Sequence, residues 1–346
     1  MSKKKKVLII AGIVLVILVG GIVGVNLYVD GMLGEMNHVD VPQVEYTEPV
    51  AATEAQDDTQ TEPSEAATEA TEETKPAAKG EYVNYLVVFK PQWENNKKIT
   101  KTVILCTLNT TDKTVTMTPM TGKAYVQVPA FKDLPAAEMT LDAVYGKGGM
   151  YGTASAMALM NQTLYSNFGI EVDYNFEIDF SLLANVVHWL GGVEMNLSEA
   201  EAKYLSQKTG VELQAGPKMF NSSMTTAYIR MWDAEEETGA NGIGGQKKLL
   251  DAILSKAKGE SVTKLEGVVR NMMPMLTTSM TEYEIKECML RLLPMLRDLS
   301  IQKGEACPAN GKLETVQDKN GKDMEVIVFD SAEATKLTRA ITEGEQ

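Results

Sequence analysis

Histidine and cysteine are scarce in this chain. Two histidines, His38 and His188, and three cysteines, Cys106, Cys288 and Cys307, occur in 346 residues. A structural zinc site needs four clustered Cys or His ligands, so chemistry of that kind is excluded. Three cysteines give no disulfide framework. Cys106 lies in an apolar run and reads as a small buried hydrophobe, while a Cys288–Cys307 pair stays open. An excess of base is also missing: 33 Lys and Arg face 47 Asp and Glu, a net charge of -14. Nucleic acid asks for a basic surface, so no nucleic acid is expected as partner. Arginine is absent between Arg230 and Arg270.

Charge is missing altogether from Val7 to Val25, a run of 19 residues behind Lys3, Lys4, Lys5 and Lys6. A helix needs ~20 apolar residues to cross a bilayer. The run and its flank therefore predict a transmembrane helix over residues 7–29, uncleaved because no Ala-x-Ala site follows. The lysines of residues 1–6 would stay cytoplasmic and the rest would be extracellular, a single-pass protein of the cell membrane. From 30 to 80 the chain turns acidic and poor in apolar residues. Residues 31–80 hold twelve acids against two lysines, a net of -10, and such a segment reads as a disordered linker.

About 265 residues remain, enough for one large domain with a full core. Strand patterns occur at Tyr82–Phe89, Lys101–Asn109, Thr114–Pro119, Ala124–Pro129, Val172–Ile178 and Val193–Leu197, with a late strand at Val326–Asp330. Helical periodicity covers Gly152–Phe168 up to Gly169, Phe180–Leu190 behind a candidate cap at Asp179, Ser198–Lys208, Gln246–Lys258 and Glu282–Leu299. Alternating strands and helices predict an α/β fold: three layers, α-β-α, around a central, mixed, mostly buried sheet.

Several of these segments resemble the LytR-CpsA-Psr family of envelope proteins. They are Asn84-Tyr85-Leu86-Val87-Val88, the hairpin from Thr102 to Pro119, and Thr140 to Gly149. The best match is Gly169-Ile170-Glu171-Val172-Asp173-Tyr174 through Leu190-Gly191-Gly192-Val193-Glu194-Met195. Gly216 and Ala227-Tyr228-Ile229-Arg230 follow. The resemblance covers residues 81–257 as an extracellular domain, with 258–346 as a helical extension and late strand packed on it. It implies a phosphotransferase that moves a glycopolymer from a polyprenyl pyrophosphate carrier to a hydroxyl of peptidoglycan. Arginines would clamp the pyrophosphate, acids would help hold Mg²⁺, and an apolar tunnel would take the lipid. Phosphoryl transfer is mostly positioning and charge neutralisation, and Arg fits phosphate oxygens in pairs.

The chain departs from the family pattern at four places. Phe89-Lys90-Pro91-Gln92-Trp93 has no acid, Lys101 stands at the metal-binding Asp, and Pro119-Met120-Thr121-Gly122 lacks an Arg-Asp pair. Gly239, Gly242 and Gly245 occupy an acid and two arginines ahead of Gln246, and Trp232 replaces a further arginine. Gly242, Gly244 and Gly245 read as a loop ahead of a helix near Gln246. No Gly-Lys-Ser/Thr follows, so the loop is not a nucleotide P-loop. Arg230 is the candidate catalytic residue. Arg230, Lys101, Lys123, Gln246, Tyr228 and Gly242 are the candidate ligand-binding set, and no residue is assigned to a metal. These losses predict a degenerate family member that binds polyprenyl-phosphate lipid or anionic wall glycopolymer, beside other envelope enzymes, with little catalysis and no cofactor. Two alternatives stand beside it: an active, Mg²⁺-dependent phosphotransferase and a non-catalytic structural or assembly protein.

Overall fold

A computed structural model describes residues 36–42, 82–89, 93–94, 97–98, 103–179, 181–231, 242–292, 295, 300–317 and 321–344. The central sheet is built on β2 (Tyr82–Phe89), β5 (Val103–Asn109) and β6 (Thr114–Met120), a meander of β-branched residues turned at Asp112 and Lys113. The turn is closed by the Asp112 amide, which donates to Asn109 Oδ1 at 2.9 Å. β9 (Tyr174–Ile178) lies parallel to β2, and β12 (Leu276–Thr278) runs antiparallel to β9. β1 (Asn37–His38) and β13 (Ser300–Lys303) add parallel edges, giving the order β1-β12-β9-β2-β5-β6-β13. The sheet is therefore mixed, as the sequence predicts.

Both sheet faces are buried. Val83, Tyr85, Val87 and Phe89 of β2 enter one core with Ile104, Cys106 and Leu108, and Leu86 and Val88 enter the other with Val103 and Leu105. Successive side chains of a strand alternate between faces, so a continuous apolar run is what two covered faces require. The first core is covered by α3 (Ser181–Trp189), α4 (Glu199–Thr209), α5 (Ser222–Met231), α6 (Gly242–Lys258), α7 (Val262–Met272) and α8 (Glu282–Leu292). The second is covered by α1 (Leu141–Gly148), α2 (Thr153–Phe168), α9 (Ser331–Thr342) and the hairpin of β7 (Tyr125–Val128) and β8 (Ala137–Thr140). Three smaller antiparallel strand pairs lie outside the central sheet: β3 (Trp93–Glu94) with β4 (Lys97–Lys98), β10 (Val193–Leu197) with β11 (Gly216–Phe220) across α4, and β14 (Lys312–Gln317) with β15 (Asp323–Val328). The late strand thus pairs in a hairpin of its own and not in the central sheet.

Local signals explain the element ends. Gly169 closes α2 in the left-handed conformation, φ 66°. The Asp179 carboxylate accepts from the Ser181 amide at 2.7 Å and starts α3. Ser198 caps α4 in a reciprocal pair with Glu201. Cys106, Cys288 and Cys307 are all free, with Cys106 and Cys307 buried.

Two expectations are corrected. Among the described residues no helix is long and apolar enough to cross a membrane. The longest, α6, has 17 residues, about 26 Å at ~1.5 Å per residue, short of a bilayer core of ~30 Å. The transmembrane helix, the signal-anchor and the single-pass localisation built on it are accordingly not carried further; residues 7–29 lie outside the described residues. The second correction concerns the linker. Within residues 30–80, the stretch 36–42 holds strand β1, with the Val39 amide donating to Thr278 O at 2.9 Å.

Candidate functional site

Strand directions gather one end of the sheet into a common edge. β2 and β9 are parallel and finish together, Phe89 beside Ile178. Antiparallel β5 begins there, Val103 opposite Val88, and β6 ends there, Met120 opposite Val103. On the first core, α3 leaves this edge at Ser181 and runs to the far end, where the β10–β11 pair joins Val193 to Phe220. α5 starts at that far end and packs along α3, with Arg230 in its last turn. α7 also packs on α3, and its first turn sits at the far end, where Lys264 Nζ donates to Leu190 O at 2.9 Å.

The far end depends on Gly191 and Gly192, with φ of 80° and 98°. A Cβ at Gly192 would meet Phe220 O at 2.9 Å. That close approach brings β11 beside β10, and so sets where α5 begins.

Of the sequence candidates, Arg230 lies in the last turn of α5 and Gly242 in the first turn of α6. Gln246 is inside α6 and does not open it. The loop expected over Gly242, Gly244 and Gly245 is therefore helix, whose first amides have no partner within the helix. Lys123 follows β6 and its Nζ meets Glu325 Oε2 at 3.3 Å, both ends well exposed. Lys101, Lys90 and residues 232–241 lie outside the described residues. Tyr228 is fully buried, edge-on to Phe220 with centroids 5.5 Å apart.

Two buried polar nodes escaped the sequence reading. In the first, Tyr228 Oη donates to Glu201 Oε1 at 2.7 Å, while Glu201 Oε2 accepts from Lys248 Nζ at 2.5 Å and from the Ser198 amide at 2.6 Å. Burial raises the Glu201 carboxyl, but Lys248, the Ser198 amide and Tyr228 outweigh it and hold the group below its usual value. Burial and the Glu201 charge push Tyr228 well up, so it stays a hydrogen-bond donor. In the second node, Tyr145 Oη donates to Glu177 Oε2 at 2.9 Å on the opposite face of the sheet, one residue before the edge. Burial, followed by the Glu177 charge, raises Tyr145 likewise. The signal for the first node was present in the spacing Ser198-x-x-Glu201, a capping-box pattern.

Among the described residues no group of three or more His, Cys, Asp or Glu side chains could hold a metal ion. Asp179, at the edge, is committed to the Ser181 amide. A cavity of about 300 Å³ lies on the second core, lined by the β7–β8 hairpin, Leu134, Leu159 and Lys147 of α1.

A mixed sheet between two helical layers defines a three-layer α/β protein. The chain belongs to the LytR_cpsA_psr family, whose model matches residues 46–322. No curated protein matches the chain. Among solved structures, it is similar to TagT bound to LIIa-WTA, at 18% identity and TM-score 0.54 over 76% of this chain and 90% of that one. It is similar to YwtF (TagT) with bound octaprenyl pyrophosphate lipid, at 18% identity and TM-score 0.52 over 79% and 92%. It is also similar to Bacillus subtilis TagV, at 17% identity and TM-score 0.53 over 77% and 98%. At these identities the likeness concerns the fold.

The expectation of a degenerate binder is corrected at this point. Similar structures hold LIIa-WTA, LI-WTA and octaprenyl pyrophosphate lipid, so the degenerate reading is set aside and the transferase alternative is taken up below.

Proposed function

We propose that this chain is a phosphotransferase that moves a glycopolymer from a polyprenyl pyrophosphate carrier to a hydroxyl of peptidoglycan. What supports the reading is membership of this family, together with Arg230 in the last turn of α5 and the amide-bearing first turn of α6, two helices that meet where Tyr228 and Lys248 bond one carboxylate, Glu201. A helix N-terminus favours phosphate through its free amides and dipole, and an arginine adds paired donors. The acceptor hydroxyl oxygen attacks the sugar-bearing phosphorus, and its proton passes to solvent or base. The bond from that phosphorus to the bridging oxygen breaks, and polyprenyl monophosphate leaves with both electrons. Charge builds on the non-bridging and leaving oxygens, where fixed donors act.

The relatives solved with lipid and teichoic-acid ligands support the same partners here, a polyprenyl-linked lipid and an anionic wall glycopolymer. The test is transfer of a labelled glycan from its polyprenyl pyrophosphate to purified peptidoglycan, followed by polyprenyl monophosphate release. The wild type is expected to transfer, and Arg230→Ala to lose about 10²-fold in rate, the usual cost of one donor to a developing oxyanion. A wild type without transfer, or an Arg230→Ala variant of unchanged rate, refutes the assignment.

A further inference from the structure

The Glu201 node joins three helices through one carboxylate. Its own helix, α4, supplies the Ser198 amide, α5 supplies Tyr228 and α6 supplies Lys248. Each oxygen is assigned: Oε1 to α5, Oε2 to α4 and α6. Glu201 is 5% exposed and Tyr228 0%, among Leu205, Ile229 and Leu249. An ion pair in such a place is weak evidence for stability, because apolar residues of similar volume often hold helices as well or better. What apolar contact does not supply is direction. Hydrogen bonds of 2.5–2.7 Å fix both the rotation and the axial position of each helix, since sliding by one residue moves a donor by ~1.5 Å.

The two helices so fixed are those whose ends form the candidate site. Arg230 is two residues beyond Tyr228, and Gly242 opens α6 six residues before Lys248. Two of the positions where the family resemblance expects arginines, Gly242 and Gly245, lie in that first turn of α6. We propose that Glu201, Tyr228 and Lys248 are positioning residues, which hold the last turn of α5 and the first turn of α6 in one register for phosphoryl transfer. The proposal rests on the phosphotransferase reading. The node touches no substrate and acts through Arg230 and the α6 amides.

The decisive variant removes the node without opening a cavity: Glu201→Leu, Tyr228→Phe and Lys248→Met together, in the full chain. It is expected to fold with an unfolding temperature near or above that of the wild type, and to lose about tenfold or more in kcat, since small misplacement is costly to rate. KM for the lipid donor is expected to change less than kcat. Lys248→Arg, which keeps the charge-assisted bond, is expected to retain most of the activity. A second readout is independent of catalysis. Hydrogen–deuterium exchange of the backbone amides in the last turn of α5 and the first turns of α6 should be faster in the triple variant. A folded triple variant with wild-type kcat overturns the proposal, and so does a kcat loss that only tracks the loss of folded protein. If the wild type shows no transfer, the phosphotransferase reading fails, and exchange alone decides: faster exchange at these two helix ends supports positioning and unchanged exchange refutes it.

Discussion

At the scale of the residue, Glu201 shows burial and hydrogen bonding in opposition. Burial disfavours its charge, while Lys248, the Ser198 amide and Tyr228 favour it more. Its folded pKa therefore lies below the ordinary value of 4.5. The linkage sign follows: its contribution is fully present above about pH 4.5 and is lost as pH falls through the depressed folded value. Unfolding temperatures measured from pH 6 downward should therefore drop more steeply for the wild type than for Glu201→Gln, and parallel curves would count against it. Lys248→Met leaves the carboxylate buried with one cation fewer. Breaking a buried pair is costly, and the 30% exposure of Lys248 discounts this, so a loss of about 2 kcal/mol is expected in urea unfolding. A change under about 0.5 kcal/mol, the scale of a surface pair, would contradict the geometry. The sequence offered only half of this node. Ser198-x-x-Glu201 is legible as a cap, but nothing in its spacing says that Glu201 also reaches α5 and α6, because those contacts span 27 and 47 residues.

At the scale of the element, apolar runs and punctuation residues carried most of the reading. β2, β5, β6, β9 and β10 were legible because β-branched runs end at Asn, Asp, Pro or Gly, and α2 because Gly169 stops it. α6 was misread at its start: glycines lower helix propensity by ~1 kcal/mol each, yet Gly242, Gly244 and Gly245 are helical, as tertiary packing outweighs propensity. α5 and β11 went unread, since Gly216–Phe220 gains its strand only by pairing with β10. Gly192 is the point where that pairing is settled. Gly192→Ala places a Cβ 2.9 Å from Phe220 O at φ 98°, and a loss of about 2–3 kcal/mol is expected from strain and the forced shift. Because β11 leads into α5, transfer activity should fall with it. Guanidinium unfolding with an unchanged midpoint would show that the approach is relaxed at no cost.

At the scale of the molecule, the three-layer class and the family were legible because both depend on the order of buried segments, which the sequence carries locally. The ends of the molecule were not, because edge pairing is a long-range event. Strand β1 sits in a stretch of acidic, low-complexity composition, yet it extends the sheet beyond β12. Asn37 Nδ2 donates to Pro274 O at 2.9 Å, His38 Nδ1 lies 3.0 Å from Met280 O, and the side chains of Val39 and Val41 pack on the second core. This segment is separated from β2 by more than 40 residues, so it acts as an intramolecular strand addition, closing an edge that would otherwise expose unpaired amides and carbonyls. Partial burial of two valines, at about 1 kcal/mol each, puts its contribution near 2 kcal/mol. A chain beginning at residue 81 lacks the strand, whereas one beginning at residue 31 keeps it. The shorter chain should unfold about 5 °C lower, the shift that ~2 kcal/mol produces in a domain of this size. It should also self-associate more readily, since β12 is left as an open edge. Equal unfolding temperatures and equal sedimentation for the two chains would mean that β1 adds nothing to the sheet. A lower temperature with unchanged transfer activity would assign the segment to stability alone, since β1 pairs with β12 and not with α5 or α6.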